Sequence, residues 1–316
     1  MAQADPTARP GRAGARTVLE RHLGAQATEL LRGLRGYEEA GGRSAAASAR
    51  LVRGAARRIS AALAAYPELS EPQWARQLGA ELEWLSEQIV REHAYAERLE
   101  RLLGAVARLA GPDDPGLRTP GGAGTARAAA LLQRRLGLAR SRAHTAALEA
   151  LGSARFHAAV DAVALLASEA PLREAGSTDV LHEALAGVER QLAREVASLP
   201  LEVAAQPYNA QALARGLGPA AEQDAPWERV RALLRRARYA HEVLAPAAPV
   251  RLTAASRALN GHRDAGEAAR EAAAAARTPR ITPATAYALG VLHADQRQEV
   301  EAARFAFGRL WRRGAG

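Results

Sequence analysis

The sequence predicts an all-α protein. Three observations point there: the 48% hydrophobic share is mostly Ala, Leu and Val, aromatic residues are scarce at 4%, and apolar positions recur at helical spacing. Alanine and leucine favour helices, whereas the β-branched and aromatic residues that build sheets are few. At 316 residues the chain is long enough for one large or two small domains with a real core.

Residues 1–14 are rich in Pro, Gly and Arg and read as a disordered tail. Helical periodicity begins near Thr17, with Val18, Leu19, Leu23, Ala27, Leu30, Leu31 and Leu34 on one face, and ends at Gly41–Gly42. A second helix is expected from Ser44 to Tyr66, before Pro67. A third starts at Ser70-Glu71-Pro72, with Ser70 as cap and Pro72 in the first turn, and continues to Ala110. Residues 111–126, GPDDPGLRTPGGAGTA, read as a linker. Its Gly-Gly-Ala-Gly follows no strand, which weakens any phosphate-loop reading. Further helices are expected over 127–151, 153–168, 178–198, 208–216, 226–245, 250–262, 264–277 and 283–312. The organisation this implies is a tail over 1–14 and a helical domain over 15–313. Within that domain one repeat covers about 15–110, the linker 111–126, and a second repeat about 127–313.

Charge narrows the function classes. All 43 basic residues are arginine, against 34 acids, for a net charge of +9. Without lysine there is no Walker-A loop, no protein-kinase lysine and no Schiff-base or pyridoxal chemistry. Without cysteine there is no disulfide, thiol nucleophile or zinc–thiolate site. The segment MAQADPTARPGRAGARTV has no apolar stretch after its arginines and does not read as a secretory signal. No run approaches eighteen apolar residues, so no membrane span is expected, and the cytoplasm is the default.

Two arginine-rich helices resemble each other. ARLVRGAARRISAAL carries Arg53, three residues, then Arg57-Arg58; ERVRALLRRARYAHEVL carries Arg231, three residues, then Arg235-Arg236. An internal repeat follows from this pairing. At 3.6 residues per turn Arg50, Arg53 and Arg57 share a stripe, successive members about 5 Å apart along the axis. Val52, Ala56, Ile59 and Leu63 form a separate apolar stripe. In the second helix Arg231, Arg235 and Arg238 make the polar stripe, and Val230, Leu234, Ala237, His241 and Leu244 the apolar one. Most charge runs are solvated faces. Here, however, five arginines and no acid lie between Glu39 and Glu68, so ion pairs within that helix cannot neutralise them. Carboxylates from other helices remain the alternative to a bound anion.

The chain resembles the conserved histidine α-helical domain family, CHAD, over about residues 17–313. The family's first signature, V-H-x-M-R-V-x-x-R-R-L-R, aligns with Ala49 to Ser60 and places its arginines on Arg53, Arg57 and Arg58. The signature histidine falls on Arg50 and the last arginine on Ser60. The second, L-H-x-L-R-x-x-x-K-R-L-R-Y, aligns with Trp227 to Tyr239 and keeps Arg231, Arg236, Arg238 and Tyr239, with Arg235 at its lysine position, but its histidine position holds Glu228. A third element, L-G-x-H-x-D, is echoed from Leu259 to Asp264, with His262 in place. This is a divergent copy lacking both signature histidines.

The resemblance implies two pseudo-symmetric helical bundles and binding of inorganic polyphosphate, possible placement on polyphosphate granules included. It carries over Arg50, Arg53, Arg57, Arg58, Arg231, Arg235, Arg236, Arg238, Tyr239 and His262 as the residues gripping the chain. Arg50 retains a permanent cation able to fork onto phosphate, whereas Glu228 reverses the sign at the equivalent place and can pair with Arg231 or Arg229. The residues of the third element also read as a helix-terminal turn, Asn260-Gly261 ending one helix and Asp264 capping the next. His241 reads as a buried, hydrogen-bonded histidine and Trp227 as a packing residue. The remaining histidines show no metal-ligand spacing. The expectation is therefore a non-enzymatic binder with no cofactor and no metal. A nucleic-acid or acidic-partner scaffold that has lost polyphosphate binding is the alternative; the arginine stripes lack the interleaved aromatics that stack bases.

Overall fold

The computed structural model describes residues 14–39, 43–110, 120–205 and 220–313. The described residues form ten α-helices: α1 (Ala15–Glu39), α2 (Arg43–Ala65), α3 (Pro72–Ala110), α4 (Pro120–Leu151), α5 (Ala154–Ser168), α6 (Asp179–Ala197), α7 (Leu201–Ala204), α8 (Ala220–Leu244), α9 (Val250–Ala276) and α10 (Pro283–Arg313). A short 3₁₀ turn, Pro67–Leu69, separates α2 from α3, and an isolated antiparallel bridge pairs Ser70 with Leu172. The all-α expectation holds. No single described helix is long and apolar enough to cross a membrane.

Two compact units emerge, each drawn from three stretches of chain. The first contains the described residues up to Ser86, with Arg155–Gln191 and Arg236–Ala248; the second contains Glu87–Ala154, Leu192–Arg235 and the described residues from Pro249 onward. Helices α3, α6 and α8 each contribute residues to both units.

In the first unit α1 packs on α2. Leu19, Leu23, Ala27, Leu30 and Leu34 of α1 are buried, as are Val52, Ala55, Ala56, Ile59, Ala62 and Leu63 of α2. The three-to-four spacing of both sets brings each helix's apolar stripe to the other. Gly33 lets the helices approach closely: a Cβ there would lie 2.9 Å from Val52 Cγ2 and 3.1 Å from its backbone nitrogen. In the second unit α9 and α10 pack together and against α4. Their shared core includes Leu132, Leu136, Ala268, Ala272, Leu289 and Leu292.

Several expected boundaries move. Glu71, not Ser70, caps α3, its carboxylate accepting the N–H groups of Gln73 (3.0 Å) and Trp74 (2.6 Å). These bonds hold the Glu71 carboxyl below its usual range, while Ser70 is buried. Residues 120–126, expected in the linker, form the first turns of α4; Gly124 there approaches Ala284, where a Cβ would come within 2.5 Å of the carbonyl oxygen. α8 starts at Ala220, six residues before Pro226, which lies inside the helix. Residues 1–13 of the expected tail over 1–14, the linker residues 111–119 and the expected helix over 208–216 lie outside the described residues.

The largest correction concerns Asn260-Gly261. The sequence reads as two helices, over 250–262 and 264–277, yet α9 is continuous from Val250 to Ala276. Ala255, Leu259, His262, Ala265, Ala269 and Ala272 form one buried stripe through the supposed break. A glycine inside a helix costs only about 0.5–1 kcal/mol, which burial of such a stripe readily outweighs. Asp264 thus lies in mid-helix, not at a helix start.

Candidate functional site

On α2 the apolar stripe turns inward and the arginines turn outward to different depths. Arg50 is exposed, while Arg53, Arg57 and Arg58 are half-buried. Arg58 Nε donates to Glu242 Oε2 at 2.6 Å, and its guanidinium lies 5.1 Å from the centroid of the buried Tyr239 ring. Arg238 approaches the same ring at 4.4 Å and brings its Nε to 3.8 Å from Glu242 Oε1. One carboxylate therefore holds two guanidiniums, one per oxygen, around one aromatic ring. Such cation–π contacts orient a guanidinium without neutralising it. Tyr66, at the end of α2, donates its hydroxyl to the Ala240 carbonyl at 2.9 Å and fixes the segment bearing these residues. Burial raises the Tyr66 phenol well above its ordinary pKa, so it stays a donor.

Beside this cluster lies a cleft of about 410 Å³ lined by His22, Gln26, Leu51, Arg58, Glu242 and neighbouring residues. Burial lowers the His22 pKa, the Arg58 charge lowers it further, and Glu242 acts in the opposite direction.

The second unit carries a buried ionic network. Asp224 accepts Arg297 Nη1 on both oxygens (3.0 and 3.2 Å) and Arg304 Nη2 on Oδ1 at 2.6 Å. Arg304 also donates Nη1 to Glu301 (2.7 Å), Nη2 to the Gln223 carbonyl (3.2 Å) and Nε to His262 Nε2 (3.3 Å). His262 stacks on Trp227, which meets Phe307 edge-on, each pair of centroids 6.0 Å apart. At the edge of the network Glu228 Oε2 accepts both Nε and Nη2 of Arg231 at 2.8 Å.

His262 is 1% exposed, and burial, followed by the charge of Arg304, pulls its pKa down to about 3. The folded ring is neutral above that value, whereas the unfolded ring titrates near 6.5. Between the two, the unfolded chain binds a proton that the folded one does not, so this residue makes stability fall as pH falls through 6.5 toward 3. In denaturant titrations from pH 6 to pH 4, the wild type should lose about 1.4 kcal/mol per pH unit more than His262→Gln. Equal slopes in the two proteins would rule out the buried neutral ring.

The expected binding residues are divided between the units. Arg50, Arg53, Arg57, Arg58, Arg236, Arg238 and Tyr239 belong to the first; Arg231, Arg235 and His262 belong to the second. The structure joins Arg58 to Arg238 and Tyr239, and sets His262 beside the Glu228–Arg231 pair, 3.9 Å from Glu228 Oε1. Of the two expected partners of Glu228, Arg231 is the one it holds; Arg229 lies 3.8 Å from Glu195. Trp227 is a packing residue, as expected. His241 is half-buried rather than buried, and bonds to Glu189 at 2.8 Å.

Glu242, Asp224, Arg297 and Arg304 were not predicted. Glu242 lies three residues after Tyr239, one helical turn away, a spacing that could have flagged it. Nothing local pairs Asp224 with arginines seventy-three and eighty residues away.

The CHAD domain sequence model matches residues 25–278, most of the chain. The chain belongs to the CHAD domain family. Among solved structures, this CHAD protein is similar to PptA from Streptomyces chartreusis, with 49% identity and a TM-score of 0.81, over 95% of this chain and 100% of that one. The CHAD domain from the plant Ricinus communis shares the fold at 19% identity and a TM-score of 0.61, over 96% of each chain. A comparison with curated proteins returns no match.

Proposed function

We propose that this CHAD protein binds inorganic polyphosphate without chemically altering it, using the arginines of α2 and α8, and that it associates with polyphosphate granules. The observation that carries the reading is the Arg58–Tyr239–Arg238 cluster beside the Arg50, Arg53 and Arg57 stripe. Membership of the CHAD family supports it. Polyphosphate is a flexible row of closely spaced negative charges. Guanidiniums spaced about 5 Å apart along a helix can fork onto successive phosphates without reading any sequence.

Much of the affinity then comes from counterion release, the polyelectrolyte logic established for nucleic acids. With roughly six phosphates engaged, affinity for long-chain polyphosphate should drop on the order of 10²–10³-fold between 50 and 200 mM salt. Competition among polyphosphate, RNA and DNA at equal phosphate concentration and equal salt separates this reading from a nucleic-acid scaffold. Polyphosphate is expected to win. Tighter binding to either nucleic acid would end the polyphosphate reading.

A further inference from the structure

We propose that Glu228 is a displaceable counterion of Arg231, which yields that guanidinium to a phosphate oxygen by moving onto the buried Nδ1–H of His262. The inference rests on the polyphosphate reading and adds a two-position carboxylate to it.

Arg304 fixes the tautomer of His262. Arg304 Nε donates to His262 Nε2, so that nitrogen presents its lone pair. In a neutral imidazole the proton then sits on Nδ1. Nδ1 is buried and has no hydrogen-bond partner among the described residues. An unmet buried donor is costly, and protonating the ring would add a second N–H without giving Nδ1 an acceptor. Glu228 Oε1 lies 3.9 Å from it, about 1 Å longer than a usual N–H···O hydrogen bond.

Glu228 is thus placed between two donors. Its Oε2 takes both Nε and Nη2 of Arg231, the edge a phosphate oxygen would occupy, while Oε1 stops short of the imidazole. The backbone beneath it is fixed, since Trp227, one residue earlier, is wedged against His262 and Phe307. Only the half-exposed Glu228 side chain has to rotate, from a pair with Arg231 to a bond with His262. Each donor gains an acceptor: phosphate takes the charged edge of Arg231, and the carboxylate fills the vacancy on the imidazole. Without the His262 position, Glu228 would meet the incoming phosphate as an unpaired like charge.

The test titrates polyphosphate onto the wild type, Glu228→Gln, His262→Phe and the double variant. Glu228→Gln should bind about 3–10-fold more tightly, because the competing charge is gone. His262→Phe keeps a ring on Trp227 but removes Nδ1–H, and should weaken binding about 3–10-fold in the wild-type background and hardly at all in Glu228→Gln. In ¹⁵N-histidine spectra of the wild type, saturation with polyphosphate should move the His262 Nδ1–H resonance downfield. If the wild type binds while Glu228→Gln binds equally or less well, or the resonance stays put at saturation, the displacement is refuted. If neither the wild type nor Glu228→Gln binds polyphosphate, the underlying reading falls, and the displacement with it.

Discussion

Replacing Arg53 and Arg57 together with alanine is expected to lower affinity for long-chain polyphosphate by a factor on the order of 10²–10⁴. Hydrogen bonds to charged groups contribute about 1.5–3 kcal/mol each, so two lost contacts amount to about 3–6 kcal/mol. The two side chains stand one turn apart on the outward face of α2, between the exposed Arg50 and the Tyr239-bound Arg58. Neither belongs to the inward stripe of Val52, Ala56 and Ile59, and alanine is a better helix former than arginine. The variant should therefore keep its helicity by circular dichroism while its titration curve shifts. A folded double variant that binds as tightly as the wild type would remove α2 from the site.

The same helix illustrates what the sequence makes legible. Val52, Ala56, Ile59 and Leu63 recur at helical spacing and are all buried, so periodicity alone identifies the inward face. The absence of acids between Glu39 and Glu68 is equally plain, but its consequence is not. Arg58 finds its carboxylate on Glu242, 184 positions away, and no local pattern encodes such a pairing. The reading fails at Asn260-Gly261 for a related reason. Local propensity favours a break there, while contacts from α10 and α4, contributed by distant residues, hold the helix together. The resemblance places Tyr239 among the residues gripping polyphosphate; what the structure displays is a buried ring that two guanidiniums approach. Propensity and period reveal which face is buried, but the identity of a long-range polar partner emerges only with the fold.

Asp224 carries the largest expected effect on stability. It is the carboxylate shared by Arg297 and Arg304, and the side chains of all three are less than one-tenth exposed. Asp224→Ala would leave two buried cations facing each other; Arg304 retains Glu301 and the Gln223 carbonyl, but the Asp224 contacts of Arg297 disappear. Breaking a buried pair from one side costs about 3–5 kcal/mol. For a protein of this size, that corresponds to a loss in melting temperature on the order of 10 °C. Asp224→Asn preserves the shape and one acceptor but not the charge, and should fall between the two. The decisive comparison adds Arg297→Met and Arg304→Met to Asp224→Ala, because apolar replacement of a complete buried ion network is often neutral or stabilising. Recovery of the melting temperature in the triple variant would locate the damage in the uncompensated arginines. An Asp224→Ala protein that melts with the wild type would show that the network contributes nothing. Polyphosphate binding by the triple variant tests the link outward: without Arg304 N–H on Nε2, His262 no longer has a fixed tautomer. Its Nδ1–H then ceases to be a dependable place for Glu228, and the advantage of Glu228→Gln over the intact carboxylate should grow.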